Sequence, residues 1–416
     1  MDYFVDPQHK RLRAEVRRFA EEEVEPRVAG MEAKQEVDRD LSRAIARQGW
    51  IGVTIPCRYG GMGMGHLAKT IIIEELSRVS AAMGAMVQAS QLGVAKVIHF
   101  GSEEQKAHWL PQVASGDCLP TIAVTEPESG GHVLGMTGTA ERRGDEYLLN
   151  GRKWFVGNSH IGDVHGVVLR TGEGSHGLTA FLVESDRPGF RLGELGDPFG
   201  LHGFSFGEII FENCRVPVAN RLADEGQGLD VAYSSSILYG RPNLTAVSLG
   251  IHRAVVEDTV RFCRERTVYG KPLGQLPNIH LKIGQMQSRL MIAKLAAYHA
   301  THLLDGGLPC DAELINAKLI NYEYATASAK DAMEIHAARG LQRVHNIERY
   351  YRDAVHIYAP AGTADIQRHR LGQVAFGTYG QDWSTRLAGR IGCSEAPAEA
   401  AVGGVDALGG AASASW

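Results

Sequence analysis

Hydrophobic periodicity changes twice along this chain, and that double change limits the folds open to it. From residue 7 to about 118, Leu12, Val16, Phe19 and Val24 recur at three- to five-residue steps with charges between them, the spacing of amphipathic helices. From Pro120 to about Val231 the pattern shortens. Runs such as Tyr147-Leu148-Leu149, Val167-Val168-Leu169, Leu178 to Val183 and Glu208 to Phe211 are bounded by Gly, Asn and Asp, as strands of a compact β-domain would be. From about Ala232 to Trp383 long helical patterns return, for example over Ile283 to Leu304. The expected organisation is therefore α+β: a helical domain over 1–118, a β domain over 119–231, a second helical domain over 232–385 and a tail over 386–416.

Composition excludes several classes. The 416 residues exceed one ordinary core. A hydrophobic share of 44% and a charged share of 22% are those of a soluble globular protein. A formal charge of −5 offers nothing to attract nucleic acid or an anionic membrane. Cys57, Cys118, Cys214, Cys263, Cys310 and Cys393 form no CxxC pair, which suits reduced thiols of a cytoplasmic protein. No apolar run reaches the roughly 20 residues that span a bilayer. The first residues lack the apolar stretch of a signal peptide, so none is expected. The run Glu21-Glu22-Glu23 reads as a solvated helix face.

Six blocks then occur in an order and spacing similar to those of the acyl-CoA dehydrogenases. Trp50-Ile51-Gly52 to Pro56, with Tyr59-Gly60-Gly61-Met62-Gly63, resembles GLLG…P…YGGLG. Phe100-Gly101-Ser102-Glu103-Glu104-Gln105-Lys106 resembles FGTEEQK, and Ala123-Val124-Thr125-Glu126-Pro127 the strand that carries TEP. Leu149-Asn150-Gly151-Arg152-Lys153, Arg215-Val216-Pro217 and Arg264 to Leu273 follow, the last similar to ERxxFGKPL. The resemblance spans about residues 3 to 380. It implies the acyl-CoA dehydrogenase fold: an N-terminal helical domain, a middle β-barrel domain and a C-terminal four-helix bundle.

It also implies FAD as cofactor in a homotetramer. A planar ring and a pyrophosphate call for backbone donors, arginine and an apolar wall. By resemblance, Thr125 meets the pyrimidine edge of the flavin, with Ala123 and Val124 lending backbone. Arg266 resembles the arginine that reaches a neighbouring subunit's pyrophosphate, and Tyr269 lies in the same block. In Lys153-Trp154-Phe155-Val156-Gly157-Asn158, similar to KxWITN, Phe155 takes the usual Trp place and Gly157 the place of the Thr that meets flavin N5. Thr363 and Gln367 match the FAD-contacting end of GTSEIQ. Gly340 remains from a GGxG turn whose earlier glycines read Ala337 and Ala338.

The departures fall on the substrate side. Tyr351-Arg352-Asp353-Ala354 to Gly362-Thr363 resembles the family's catalytic stretch YRDA…YEGT, and a gap-free count puts Ala361 at the catalytic Glu. The second place where the family keeps that base matches Gly240, in Leu238-Tyr239-Gly240-Arg241-Pro242. Neither residue accepts a proton, so the catalytic group is unknown. His132 (at the Asp of TEPxAGSD), Tyr239 and Arg241 are the candidates nearby. Arg241 resembles the family arginine near the thioester path, and an interhelical ion pair is its structural alternative. Gly203-Phe204-Ser205-Phe206-Gly207 matches the hydrolase elbow G-x-S-x-G but precedes a strand-like run, which argues against it. The histidines show no metal-ligand spacing, and no metal is expected.

With both base positions empty, the favoured activity is that of an O₂-using flavin monooxygenase or oxidase on a bulky or aromatic substrate, with a separate flavin reductase as partner. The alternatives are an acyl-CoA or acyl-carrier-protein dehydrogenase with a relocated base, and a silent partner subunit. Residues 395–416, rich in Ala, Gly and Ser and ending in a Ser-Ala-Ser-Trp that resembles a tag remnant, cannot offset their ordering entropy. Truncation after Arg390 is expected to leave folding and flavin binding intact, as thermal denaturation and flavin absorbance would report.

Overall fold

The computed structural model describes residues 3–380 and 382–387. Six helices come first: α1 (Pro7–Phe19), α2 (Glu25–Lys34), α3 (Arg39–Ala46), α4 (Gly65–Val79), α5 (Ala81–Phe100) and α6 (Glu103–Ser115). Their starts follow from local chemistry. Asp6 caps α1 by accepting from the His9 amide at 2.8 Å, with Pro7 in the first turn. Ser102 and Gln105 exchange side-chain and backbone hydrogen bonds as a capping box on α6. The N-terminus of α4 is capped from far along the chain, the Asp305 carboxylate accepting from the amides of His66 and Leu67. Glu21, Glu22 and Glu23 lie exposed on a π turn, as their charge requires.

Eight strands form one sheet: β1 (Pro120–Ala123), β2 (Thr139–Arg143), β3 (Glu146–Gly157), β4 (Val164–Arg170), β5 (Leu178–Glu184), β6 (Phe190–Leu195), β7 (Phe206–Pro217) and β8 (Arg221–Leu222). Their order is β6-β7-β3-β2-β4-β5-β8, with β1 added in parallel to β4. Among the described residues β6 pairs with β7 and β8 with β5, and no ladder joins these two edges. The expected barrel is therefore an open sheet. Its core holds Tyr147, Phe181, Phe211 and Val216, all buried.

Helix resumes with α7 (Gly228–Ser234), earlier than residue 232. A π turn over Ser235–Gly240 leads into α8 (Arg241–Glu265), which ends in a small ribbon, β9 (Thr267–Val268) with β10 (Lys271–Pro272). The bundle continues through α9 (Pro277–Asp305), α10 (Asp311–His336), α11 (Asn346–His356) and α12 (Ala364–Ala375), and α10 packs against α8, α9, α11 and α12. A short α13 (Trp383–Arg386) follows. Arg386 and the buried Leu387 thus belong to the body and not to the tail expected from 386. From 388 onward that tail, with the Ser-Ala-Ser-Trp end, lies outside the described residues.

The N-terminal helices and the bundle are joined through α4 and α8. A Cβ on Gly250 would lie 2.5 Å from the Glu74 carbonyl oxygen, so only glycine permits this approach. Beside it Glu74 and Glu75 are fully buried, and Arg253 of α8 reaches both at 2.7 Å. Arg13 of α1 bonds both acids, and the Tyr298 hydroxyl of α9 donates to Glu74. Burial alone would raise the Glu74 pKa, but Arg253 and then Arg13 hold it well below the ordinary value. Replacing Arg253 by Met leaves two buried carboxylates short of a partner and is expected to cost about 3–5 kcal/mol, read from chemical denaturation. The folded-state pKa lies below the unfolded one. The contribution of Glu74 is therefore complete above the ordinary value of 4.5 and lost as pH falls. Wild type should be more acid-sensitive than Arg253→Met when each is measured against its own stability at neutral pH.

Candidate functional site

The end of β1 and the end of β3 are fastened to one another by a buried lysine. Lys153 donates to the Val124 carbonyl at 3.0 Å and to Glu126 at 2.8 Å. Glu126 in turn accepts from the amides of Thr137 and Gly138. Burial lowers the Lys153 pKa to about 8 although Glu126 opposes the shift. The Thr125 carbonyl accepts from the Trp154 amide at 2.9 Å. Ala123, Val124 and Thr125 thus run beside β3, with Val124 and Thr125 partly open.

A register shift between Lys153 and Val156 turns Phe155 outward. Its φ is +57° and it is 54% exposed, an arrangement that leaves a large ring facing open space. Phe206 lies 5.5 Å from it, and Phe204 and His356 lie 5.9 and 5.6 Å from Phe206. Burial holds the His356 pKa down at about 4, so this imidazole is neutral at physiological pH. A Cβ on Gly157 would stand 2.9 Å from both Ala89 Cβ and Phe204 Cζ. Glycine here is a steric demand of Phe204. Asn158, next in the chain, donates to the Met86 carbonyl and to Ser90, which ties the end of β3 to α5.

The two positions at which the resemblance expects a base come close to one another. A Cβ built on Gly240 lies 3.3 Å from Ala361 Cβ, with Leu92 and Ser236 each 3.7 Å away. Ala361, with φ +55°, sits in the loop between α11 and α12, and three side chains shape that loop. Lys318 of α10 donates to the carbonyls of Gly362 and Tyr358, Gln367 donates to those of Ala361 and Gly362, and Thr363 caps α12. Burial first, and Arg241 second, lower the Lys318 pKa to about 7. Arg241 opens α8 directly after Gly240 and is buried.

Other sequence candidates lie elsewhere. Tyr239 turns into a polar cluster between α4, α5 and the π turn, where His66 packs edge-on, the Lys69 ammonium sits 4.2 Å from the ring centroid and His99 Nε2 lies 3.2 Å from its hydroxyl. His132 is exposed on the loop after β1, where its carbonyl accepts from Ser129. Arg266 and Tyr269 are exposed at the end of α8, and Gly340 is buried in a turn after α10. None of these joins Gly240 and Ala361 within one chain. Gln367 is fully buried and serves as a brace of the Ala361 loop. Ser205 accepts from the His160 amide and leads into β7, so the hydrolase elbow is absent. Sequence reasoning missed Lys318, quoted Phe206 only within the rejected elbow, and quoted Lys153 only as part of a family block with no role of its own. A single lysine or phenylalanine inside an otherwise ordinary helix or strand carries no signal of its own.

A cleft of about 470 Å³ lined by Tyr59, Phe100, Lys106 and Asp224 includes neither Gly240 nor Ala361, and of the polar cluster only His99 lines it. Among the described residues no group of three or more His, Cys, Asp or Glu side chains could hold a metal, and no helix is long and apolar enough to cross a membrane.

With this geometry in place, comparison with known proteins is direct. Residues 6–117, 121–214 and 226–376 match the N-terminal, middle and C-terminal domains of acyl-CoA dehydrogenase. The chain belongs to the acyl-CoA dehydrogenase family. It is 35% identical to an acyl-CoA dehydrogenase of Bacillus subtilis over 86% of this chain and 95% of that one. It is 32% identical to a 3-(aryl)acrylate reductase of Clostridium sporogenes over 88% and 97%. The glutaryl-CoA dehydrogenase of Mycobacterium smegmatis, solved in complex with FADH₂, superposes with a TM-score of 0.85 at 25% identity, over 91% of this chain and 96% of that one.

The residues present fit the family's flavin. Phe155 and Phe206 offer an apolar wall, Val124 and Thr125 offer partly open backbone, and the Ala361 loop faces Gly240 without charge between them. The Phe204–Gly157 contact makes a sharp demand. Gly157→Thr, the family's more common residue, is expected to destabilise by about 1–3 kcal/mol through overpacking. The double variant with Phe204→Ala should lose less than the sum of the two single changes, as a double-mutant cycle on denaturation midpoints would show.

Proposed function

We propose that this chain is an FAD-dependent oxidoreductase that works without the family's carboxylate base, passing electrons to O₂ and hydroxylating or oxidising a bulky or aromatic substrate. One observation carries the reading: Gly240 and Ala361, the two places where the resemblance expects the base, lie so close that a Cβ on Gly240 would be 3.3 Å from Ala361 Cβ, and neither residue carries a proton acceptor. A positioned base contributes typically about 10²–10⁴-fold to proton abstraction, so its loss from both places removes most of the advantage for α,β-dehydrogenation.

FAD is the cofactor, and when bound it supplies the two-electron carrier that meets oxygen. In hydroxylation one oxygen atom enters the substrate and the other leaves as water, with two electrons drawn from NADH through a separate flavin reductase. The residues of the chain orient and enclose. Phe155 and Phe206 form the wall, and Lys318 and Gln367 hold the Ala361 loop by donating to its carbonyls. Arg266 and Tyr269, exposed and remote from this cluster, support a homotetramer in which they serve a neighbour's cofactor.

A second reading has its own support. Tyr239, which precedes Gly240 in the chain, forms a buried titratable cluster with His99, His66 and Lys69, and burial lowers the Lys69 pKa to about 7. A dehydrogenase or reductase could draw a relocated base from it, and the relatives above bear such names.

The two are separated by the flavin itself. Under anaerobic conditions, butyryl-CoA and octanoyl-CoA are expected to leave the bound flavin oxidised. NADH with a flavin reductase and O₂ should give an oxygenated product from an aromatic panel, and Ala361→Glu should lower that turnover. Rapid anaerobic bleaching of wild type by either thioester would overturn the oxygenase reading.

A further inference from the structure

The loop between β6 and β7, residues 196–205, leaves the sheet and is fastened to helices from other parts of the chain. Asp353 of α11 is 2% exposed and accepts from the Leu201 amide at 2.7 Å. Leu201 is held at φ +63°, an uncommon backbone for a leucine, and its carbonyl accepts from the Phe204 amide at 2.9 Å. A Cβ on Gly200 would stand 2.5 Å from the Arg352 carbonyl oxygen, so loop and helix meet backbone to backbone. Arg352 donates to Glu32 of α2 at 2.8 Å. His202 donates from Nε2 to the Pro198 carbonyl at 3.1 Å, and its Nδ1 lies 3.2 Å from the Arg352 guanidinium. What the held loop delivers is the aromatic wall. Phe206 is the register partner of Gly157 at the end of β3, and Phe204 stacks on Phe206 and presses on Gly157. His356, one turn after Asp353 on α11, meets the Phe206 ring edge-on at 5.6 Å. Burying a carboxylate is costly, and the amide that compensates this one stands in the turn just before Phe204.

We propose that Asp353 is a positioning residue for the flavin site: by holding the Leu201 amide it fixes the turn that sets Phe204 and Phe206 beside Gly157 and Phe155. Arg352, Glu32 and His202 form a second anchor, which joins α2 and α11 to the same loop. Because α11 also leads into the loop that carries Ala361, one helix sets both the wall and the bare base position. The inference rests on the reading of Phe155 and Phe206 as the wall against which FAD lies, and it is independent of the substrate and of the oxidant.

The test uses the FAD-loaded full chain and needs no turnover. Hydrogen–deuterium exchange is followed in peptides that span 198–206, and the bound flavin is followed by visible absorption and circular dichroism. Asp353→Ala should speed exchange at Leu201 by about 10- to 100-fold, the scale of one lost hydrogen bond to a charged group. Asp353→Asn, whose carboxamide oxygen accepts the same bond, should restore most of the protection. Asp353→Ala and Phe206→Ala should each shift the flavin bands, and the double variant should shift them no further than Phe206→Ala alone. Arg253→Met, which weakens the contact of α4 with α8, should lower the melting temperature and move neither readout. Gly200→Ala, which forces the loop off α11 from the other side, should reproduce the effects of Asp353→Ala and provides the test if that variant fails to fold or to retain FAD. Exchange and flavin bands that match wild type in Asp353→Ala would overturn the proposal. So would the same changes in Arg253→Met, which would mark Asp353 as a purely structural acid. If Asp353→Ala loosens the loop and only Phe206→Ala moves the bands, the proposal fails and the wall reading stands. If Phe206→Ala leaves the bands in place, the wall reading fails and takes the proposal with it.

Discussion

The buried pairing of Glu74 and Glu75 with Arg253 and Arg13 is the interaction on which the arrangement of this molecule depends. Two carboxylates on adjacent residues of one helix are stable without water only if cations reach them from other elements. Here those cations come from α1 and α8. The consequence is geometric. With α8 locked against α4, and Gly250 allowing backbone contact, the start of α8 lies beside α5. That placement brings Gly240 to Leu92 and opposes it to Ala361.

The site that results is defined by what its side chains leave out. Its walls are aromatic or aliphatic, and its loop is braced by an amide and an ammonium from within the bundle. The same subtraction links chemistry to packing, because Phe204 fills the room that a side chain at Gly157 would need.

Much of this was legible from residue order. The alternation of helical and strand-like patterns located the three parts of the chain, since periods of 3.6 and 2 reflect which face is buried. The spacing from Arg352-Asp353-Ala354 to Gly362-Thr363 pointed to Ala361, which lies in the loop between α11 and α12. Other readings failed for physical reasons. Closure of the β domain depends on whether its edges pair, and the edges here, β6 and the two-residue β8, do not. Tyr239 adjoins Gly240 in sequence, yet one residue along a helical turn rotates a side chain by about 100°, which sends it toward His66 and His99.

By itself, then, the sequence determined the class of fold, the family's flavin and the absence of a carboxylate at two positions, because each is written in local pattern, spacing and residue type. Only the tertiary structure decided that those two positions lie close together, that Gln367 and Lys318 serve the loop that carries Ala361, and that Arg241 is buried. These are contacts between α5, α8, α10 and the α11–α12 loop. No local pattern encodes them, because they exist only after distant helices have packed and water has been removed from between them.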